Sequence, residues 1–297
     1  MDGILNLNKP GGWTSHDVVA HVRGLTRIRR VGHAGTLDPM ATGVLLVCLG
    51  RATRVVEYLM DSRKRYRAMV RLGVSTDSHD ADGQVTATSP VTVTRADVEL
   101  ALARFRGAIS QVPPMVSAIK HKGRPLYKLA RQGITVQRTA RPVEIYELTL
   151  TDWSPPSFSL EVACSSGTYV RALARDIGRV LGCGAHLTAL ARLASGDFVL
   201  ERSIALEQFA EAVKAGDWGR LVMPMDAGLQ HMPACRLDEK SVRLVRSGRP
   251  LVDVSIDAPV DTLCRVYTDG DGNELIALLK FDNDAQMWRP HKVFRPL

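Results

Sequence analysis

Apolar and polar positions alternate most cleanly over residues 65–72, where Tyr66, Ala68, Val70 and Leu72 share one face and Arg65, Arg67, Met69 and Arg71 the other. A period of two predicts a half-buried strand, with Tyr66 turned inward and the arginines outward. Phe158, Leu160, Val162 and Cys164 alternate in the same way against Ser159, Glu161 and Ala163, so a strand is predicted over 158–165, preceded by another over 142–151. Two apolar runs, 4–7 and 43–50 (GVLLVCLG), also read as strands.

Helical spacing appears elsewhere. Val18, Val19, Val22 and Leu25 form a stripe after the Lys9-Pro10-Gly11-Gly12 turn, predicting a helix from about Ser15 with Thr14 or Ser15 as its N-cap. Thr94 and Asp97 have the spacing of a capping box that opens a helix to about Phe105. Beyond Gly167 and Thr168, a helix buries Val170, Leu173, Ala174, Ile177 and Leu181 and leaves Arg171, Arg175 and Arg179 on another face.

The run 31–43, VGHAGTLDPMATG, is thick with glycine and carries Asp-Pro, so it is predicted to be loop throughout. The stretch TDSHDADG reads as a polar, acidic turn. Residues 107–139 hold Pro113-Pro114, Lys120, Lys122, Arg124, Lys128 and Arg131, with one short helix over 126–131 closed by Gly133, and resemble a projecting basic insertion. After His231-Met232-Pro233 the texture changes to a helix over 239–247, a Gly248 stop and short strands separated by Asp-Gly turns. Strands and helices in this irregular order predict an α+β chain: a large unit over 1–230, the basic insertion at about 107–140, and a small β-rich unit over 231–297.

Composition narrows the function. Of 297 residues 45% are apolar and 24% charged, enough for a sizeable core, and the longest apolar run falls far short of the roughly 20 residues that span a bilayer. No signal-peptide pattern is present, and the five cysteines are odd in number and never spaced Cys-x-x-Cys, which fits a reducing cytoplasm. The formal charge is +8, and it is localised. Residues 236–297 balance ten Lys/Arg against ten Asp/Glu, whereas 21–71 hold eleven Lys/Arg against Asp38, Glu57 and Asp61 alone. That density attracts a polyanion, and nucleic acid is the leading partner class.

There is no GxxxxGK[ST], GxGxxG after a strand, HExxH or GxSxG, and His16 and His21 are spaced wrongly for two ligands on one helical face. No organic cofactor and no metal is expected. Asp38 stands out as a carboxylate in a glycine-rich loop that joins a run of arginines to an apolar strand. Two readings remain: an Asp-Pro turn with Asp38 bonded to its own backbone, or a functional carboxylate held ionised by a cation such as Arg171. Tyr66 and Tyr169 read either as core aromatics or as platforms for an unstacked base, and His33 as a loop histidine.

Five ordered blocks carry a resemblance: LNKPGGWTSHDVV, GHAGTLDPMATGVLLVCLGRATR, KRYRAMVRLGVSTDSHDADG, PPMVSAIKHKGRPLYKLARQG and CSSGTYVRALARDIG. In these the chain resembles the bacterial tRNA pseudouridine-55 synthases, the TruB family. The resemblance implies a pseudouridine synthase fold with a mixed, largely antiparallel central sheet flanked by helices, plus a small C-terminal PUA-like β-barrel. It implies an isomerase that flips uridine 55 out of the tRNA T loop, breaks its N–C glycosidic bond and rejoins the base through carbon.

By the same resemblance Asp38 matches the essential aspartate and His33 the histidine that fills the space of the everted base. Tyr66 matches the stacking tyrosine, Tyr169 and Arg171 the Tyr-x-Arg pair beside the carboxylate, and Leu190 a backbone contact to substrate. Val116 stands where an aromatic is common and Ala191 where an arginine is usual. The expected partner is the tRNA T-stem-loop, read by a monomer in the cytoplasm with no membrane and no guide RNA. Two other readings are an RNA-folding protein with little or no catalysis and a guide-RNA-dependent synthase of the archaeal and eukaryotic type.

Overall fold

The computed structural model describes residues 1–294 except 118, 253, 255, 260 and 270–273. Strand β1 (Gly3–Lys9) leads through the Pro-Gly-Gly turn into helix α1 (Ser15–Thr26), then β2 (Val31–Ala34) and β3 (Thr42–Leu49). Next come α2 (Val56–Met60), β4 (Lys64–Leu72), the hairpin β5 (Val74–Thr76) and β6 (Val85–Thr88), α3 (Arg95–Ala103) and β7 (Gly107–Gln111). The basic stretch holds β8 (Lys120–His121), β9 (Arg124–Pro125) and α4 (Leu126–Ala130). It is followed by the long hairpin β10 (Arg141–Ser154) and β11 (Ser157–Cys164), helix α5 (Val170–Val180), β12 (Ala185–Ser195), β13 (Phe198–Val199), β14 (Ile204–Ala205) and α6 (Leu206–Ala215). The C-terminal part has β15 (Ala234–Leu237), α7 (Glu239–Arg246), β16 (Leu263–Thr268), β17 (Leu275–Asp282) and β18 (Met287–Val293).

The central sheet runs β14-β1-β3-β12-β4-β11-β10-β7, with β2 added to β3 and β13 to β12. Only the β1–β14 and β3–β12 pairs are parallel, so the sheet is mixed and largely antiparallel, as expected. The predicted alternation is realised in β4, where Tyr66, Ala68, Val70 and Leu72 are buried and the arginines exposed. That inner face shares one core cluster with Val18, Val19 and Val22 of α1 and Val170, Leu173, Ala174 and Ile177 of α5. Leu25 and Leu181 are only partly buried at the margin of this core.

Three expectations change. Residues 31–34 are strand, because the buried end of β3 leaves main-chain groups that need partners, and Val31 to Ala34 supply them opposite Leu46 to Leu49 whatever their glycine content. Residues 107–111 are the edge strand of the central sheet, so the projecting part of the basic stretch starts after Gln111. Arg171 does not share an open face with its neighbours: it is 3% exposed, since ion pairs and carbonyls stand in for water.

A strand that shows no alternation, β12, lies at the middle of the sheet. Its pairing with β4 is broken by irregularities between Leu187 and Ala189 and between Arg192 and Ala194, which scramble the period of two. The C-terminal β15-β16-β17-β18 sheet with α7 is consistent with a PUA-like unit. Of the Asp-Gly turn expected near 269–272, residues 270–272 lie outside the described residues. Among the described residues no helix is long and apolar enough to cross a membrane.

Candidate active site

The loop between β2 and β3 carries Asp38, and several groups fix its shape. Thr14 caps α1 in a capping box with Asp17, which leaves the Ser15 hydroxyl to accept from Leu37 N–H at 2.9 Å and donate to the Leu37 carbonyl at 3.3 Å. Lys9 is fully buried and donates from Nζ to the carbonyls of Trp13 (2.6 Å), Pro10 (2.8 Å) and Pro39 (3.1 Å). Burial pushes this ammonium down to about 8, so at neutral pH it keeps its charge next to Asp38.

Arg192, 1% exposed on β12, donates from Nε to the Val44 carbonyl at 2.6 Å and from Nη2 to the Gly35 carbonyl at 3.1 Å, gripping both ends of the loop. The close approach depends on Gly43, whose φ is +98° and whose position would drive a Cβ into the Arg192 backbone.

Arg171 enters from the first turn of α5. Its Nη2 donates to Asp38 Oδ1 at 2.9 Å, and its Nε lies 2.8 Å from Oδ2 without the alignment of a hydrogen bond. Nη1 sits 3.2 Å from Asp80 Oδ2 and donates to the Ser78 carbonyl at 3.1 Å, and Nη2 also donates to the Val116 carbonyl at 2.8 Å. One guanidinium thus serves two carboxylates and two carbonyls, a use of its planar fork that lysine cannot copy. Asp38 is 33% exposed, toward the cleft. Burial raises its carboxyl above the usual range, with Asp80 adding to the rise, while Arg171 and Lys9 hold it back.

These groups wall a cleft of about 630 Å³ that Asp38, Tyr66, Tyr169, Arg171 and Leu190 all line. Tyr66 is 9% exposed, and burial raises its phenol above the ordinary value, against the pull of Arg192, so its hydroxyl stays protonated at neutral pH. Tyr169 precedes α5, and its backbone is held from both sides by Gln111, whose amide accepts from Tyr169 N–H at 2.8 Å and donates to its carbonyl at 3.2 Å. Leu190 lies on β12 at 7% exposure. His33 is not part of the lining: it sits on β2, two residues before the wall begins at Gly35, with its ring edge-on to His16 at 5.2 Å. Burial lowers His33 to about 4, which keeps it neutral.

The lining is extended by Lys64, whose Nζ donates to the Met60 and Ser62 carbonyls, both at 2.6 Å, and by Ser166, which donates to Asp61 at 2.8 Å. Among the described residues no three His, Cys, Asp or Glu side chains gather closely enough to hold a metal ion. The arrangement offers a carboxylate with a fixed cation, facing an open space with aromatic walls of nucleobase size.

Sequence reasoning missed Lys9, Lys64, Asp80, Gln111 and Arg192. Asp80 was legible only as part of an acidic turn, and nothing in local pattern says that one of its carboxylates folds inward. Lys9 and Lys64 each border a strand whose buried side they join, an inward-facing cation that could have been read from the period of two.

A family model described as TruB family pseudouridylate synthase (N terminal domain) matches residues 23–170, and one described as tRNA pseudouridylate synthase B C-terminal domain matches 171–230. The tRNA pseudouridine synthase B of Thiobacillus denitrificans is 47% identical over 272 residues, covering 92% of this chain and 90% of the relative. That of Dehalococcoides mccartyi is 44% identical over 295 residues, covering 99% and 97%. Among solved structures, a Cbf5-Nop10-Gar1 complex superposes with a TM-score of 0.76 at 27% identity, covering 99% of this chain and 85% of that one.

Proposed function

The chain belongs to the TruB family of pseudouridylate synthases, isomerases that convert uridine 55 of tRNA to pseudouridine, and we propose that the Asp38 cleft is where it performs that reaction. The single observation that carries this assignment is the Asp38–Arg171 ion pair, formed between residues 133 apart in sequence at the mouth of an aromatic-walled cleft. The target uridine lies stacked in a folded RNA loop, so it is everted at a cost of about a few kcal/mol before the carboxylate reaches its ribose.

Asp38 then acts on the sugar, by addition or by removing a sugar proton, as the N1–C1′ bond breaks. Arg171 keeps the carboxylate ionised and aligned. Tyr66, its phenol kept protonated by burial, stacks on the detached uracil while it turns to present C5, and the C5 proton leaves to solvent or to a base other than this phenol. Tyr169 forms the second aromatic wall, Leu190 offers main chain to the nucleotide, and His33, neutral and beside the cleft, enters the gap that the base leaves in the RNA.

We assign residues 1–230 to catalysis, the basic insertion to gripping the T-stem-loop, and 231–297 to a PUA-like unit that adds RNA contacts. The protein works as a monomer in the cytoplasm without a guide RNA. The test is incubation of the purified protein with a bare T-stem-loop transcript, followed by mapping of pseudouridine. Stoichiometric conversion of uridine 55, and of no other uridine in the loop, is the expected result. Conversion only after a guide RNA is added would transfer the assignment to the guided class, and binding without conversion would favour an RNA-folding role.

A further inference from the structure

A second, smaller cavity of about 140 Å³ lies in the basic insertion, lined by Lys120, His121, Arg138 and Arg141 together with apolar Pro113 and Ile119. Among the described residues no carboxylate lines it, and neither Lys120, Arg138 nor Arg141 forms an ion pair. Arg138 is only half-satisfied: one Nη donates weakly to the Pro113 carbonyl at 3.4 Å, while its buried Nε has no partner. Burial and the nearby Arg175 both work against its positive charge. Clustered cations with an unused buried donor form an unpaid site in the folded protein, and an anion there gains charge-assisted hydrogen bonds without displacing an internal carboxylate.

Size and place narrow the anion. At about 140 Å³ the space has room for a tetrahedral PO₄ group, and its cationic lining selects an anion over an uncharged base. Ile119 lines both this cavity and the Asp38 cleft, so the two spaces adjoin at that residue. We propose that Arg138, Arg141 and Lys120 form a subsite for one backbone phosphodiester of the substrate RNA, next to the everted nucleotide. The inference deepens the reading of the cleft as a uridine site and rests on it. A flipped nucleotide must rotate about its flanking phosphates, and clamping one of them from behind Ile119 holds the backbone in the everted form.

The test is binding of the full chain to a T-stem-loop RNA across a potassium chloride series. Arg138→Gln weakens binding about three- to tenfold and makes the slope of log K against log salt shallower by about 0.7, the value of one lost phosphate contact on single-stranded RNA. Arg141→Gln, at an exposed position that cannot threaten folding, acts in the same direction. A scan with single uncharged methylphosphonates finds one linkage flanking the target uridine whose replacement weakens wild-type binding but weakens Arg138→Gln no further. Wild-type slopes in both variants, or no linkage with that coupling, would overturn the subsite. Coupling at that linkage, in a wild-type protein that makes no pseudouridine, would uphold the phosphate subsite and remove the catalytic reading.

Discussion

Arg171 links two carboxylates that would otherwise lie unpaired beside the cleft, and its replacement has two separable effects. Arg171→Met leaves Asp80, whose side chain is 7% exposed, without its counter-ion, and breaking a buried pair from one side costs about 3–5 kcal/mol. Thermal unfolding of the variant should show that loss. Arg171→Lys keeps a charge but cannot span Asp38, Asp80 and two carbonyls, so turnover should fall at least about tenfold while RNA affinity changes little.

Acidity acts on two groups in opposite ways. Because the Asp38 carboxyl is raised, the acid limb of the activity profile should lie above the ordinary aspartate value of about 3.9, and a limb at or below that value would contradict the burial of this carboxylate. His33 is depressed to about 4, so between pH 6.5 and 4 the unfolded chain binds a proton that the folded chain refuses. Its stabilising contribution is complete above about pH 6.5 and is lost as pH falls toward 4. Urea unfolding should show the wild type losing roughly 1–2 kcal/mol more than His33→Gln between pH 7 and 5.

At the scale of elements, what was legible in the sequence was whatever had a clean period or a stop signal. The β4 face, the N-cap of α1, the capping box of α3, the α5 stripe and the Gly248 end of α7 follow from local spacing. Strand β12 escaped because two irregularities and alanines scattered at 185, 189, 191 and 194 erase its alternation, although it carries both Leu190 and Arg192. Strand β2 escaped because glycine content argues for a loop, and only the unpaired backbone of β3 makes it a strand. The individual site residues became legible through the family resemblance, whereas the support from Lys9, Gln111 and Asp80 depends on contacts that local sequence does not encode. The grip of β12 on the Asp38 loop makes Gly43→Ala informative. The positive φ alone costs about 1–3 kcal/mol, and the clash with the Arg192 backbone adds to it, so both melting temperature and activity should drop.

At the scale of the whole molecule the C-terminal sheet is docked on the second face of the central sheet. Tyr267, Leu275, Leu278 and Phe294 share one apolar cluster with Ile4, Val44, Leu46 and Cys48, and Arg51 bridges Asp2 at 2.7 Å and Glu274 at 2.8 Å across the junction. Removing residues 231–297 would expose fully buried side chains of β1 and β3, each worth about 1.5–3 kcal/mol of burial. A chain ending at residue 230 should therefore melt well below the full protein or aggregate, and unchanged melting would show that the junction contributes little.

The assignment as a whole turns on the Asp38 carboxylate. Single-turnover pseudouridine formation by Asp38→Asn on a T-stem-loop transcript, with RNA affinity measured on the same preparation, tests it most directly. The expected result is loss of all detectable product with affinity within about threefold of wild type, as for removal of a group used only in the chemical step. Product formed at the wild-type rate would contradict the assignment of Asp38 to catalysis.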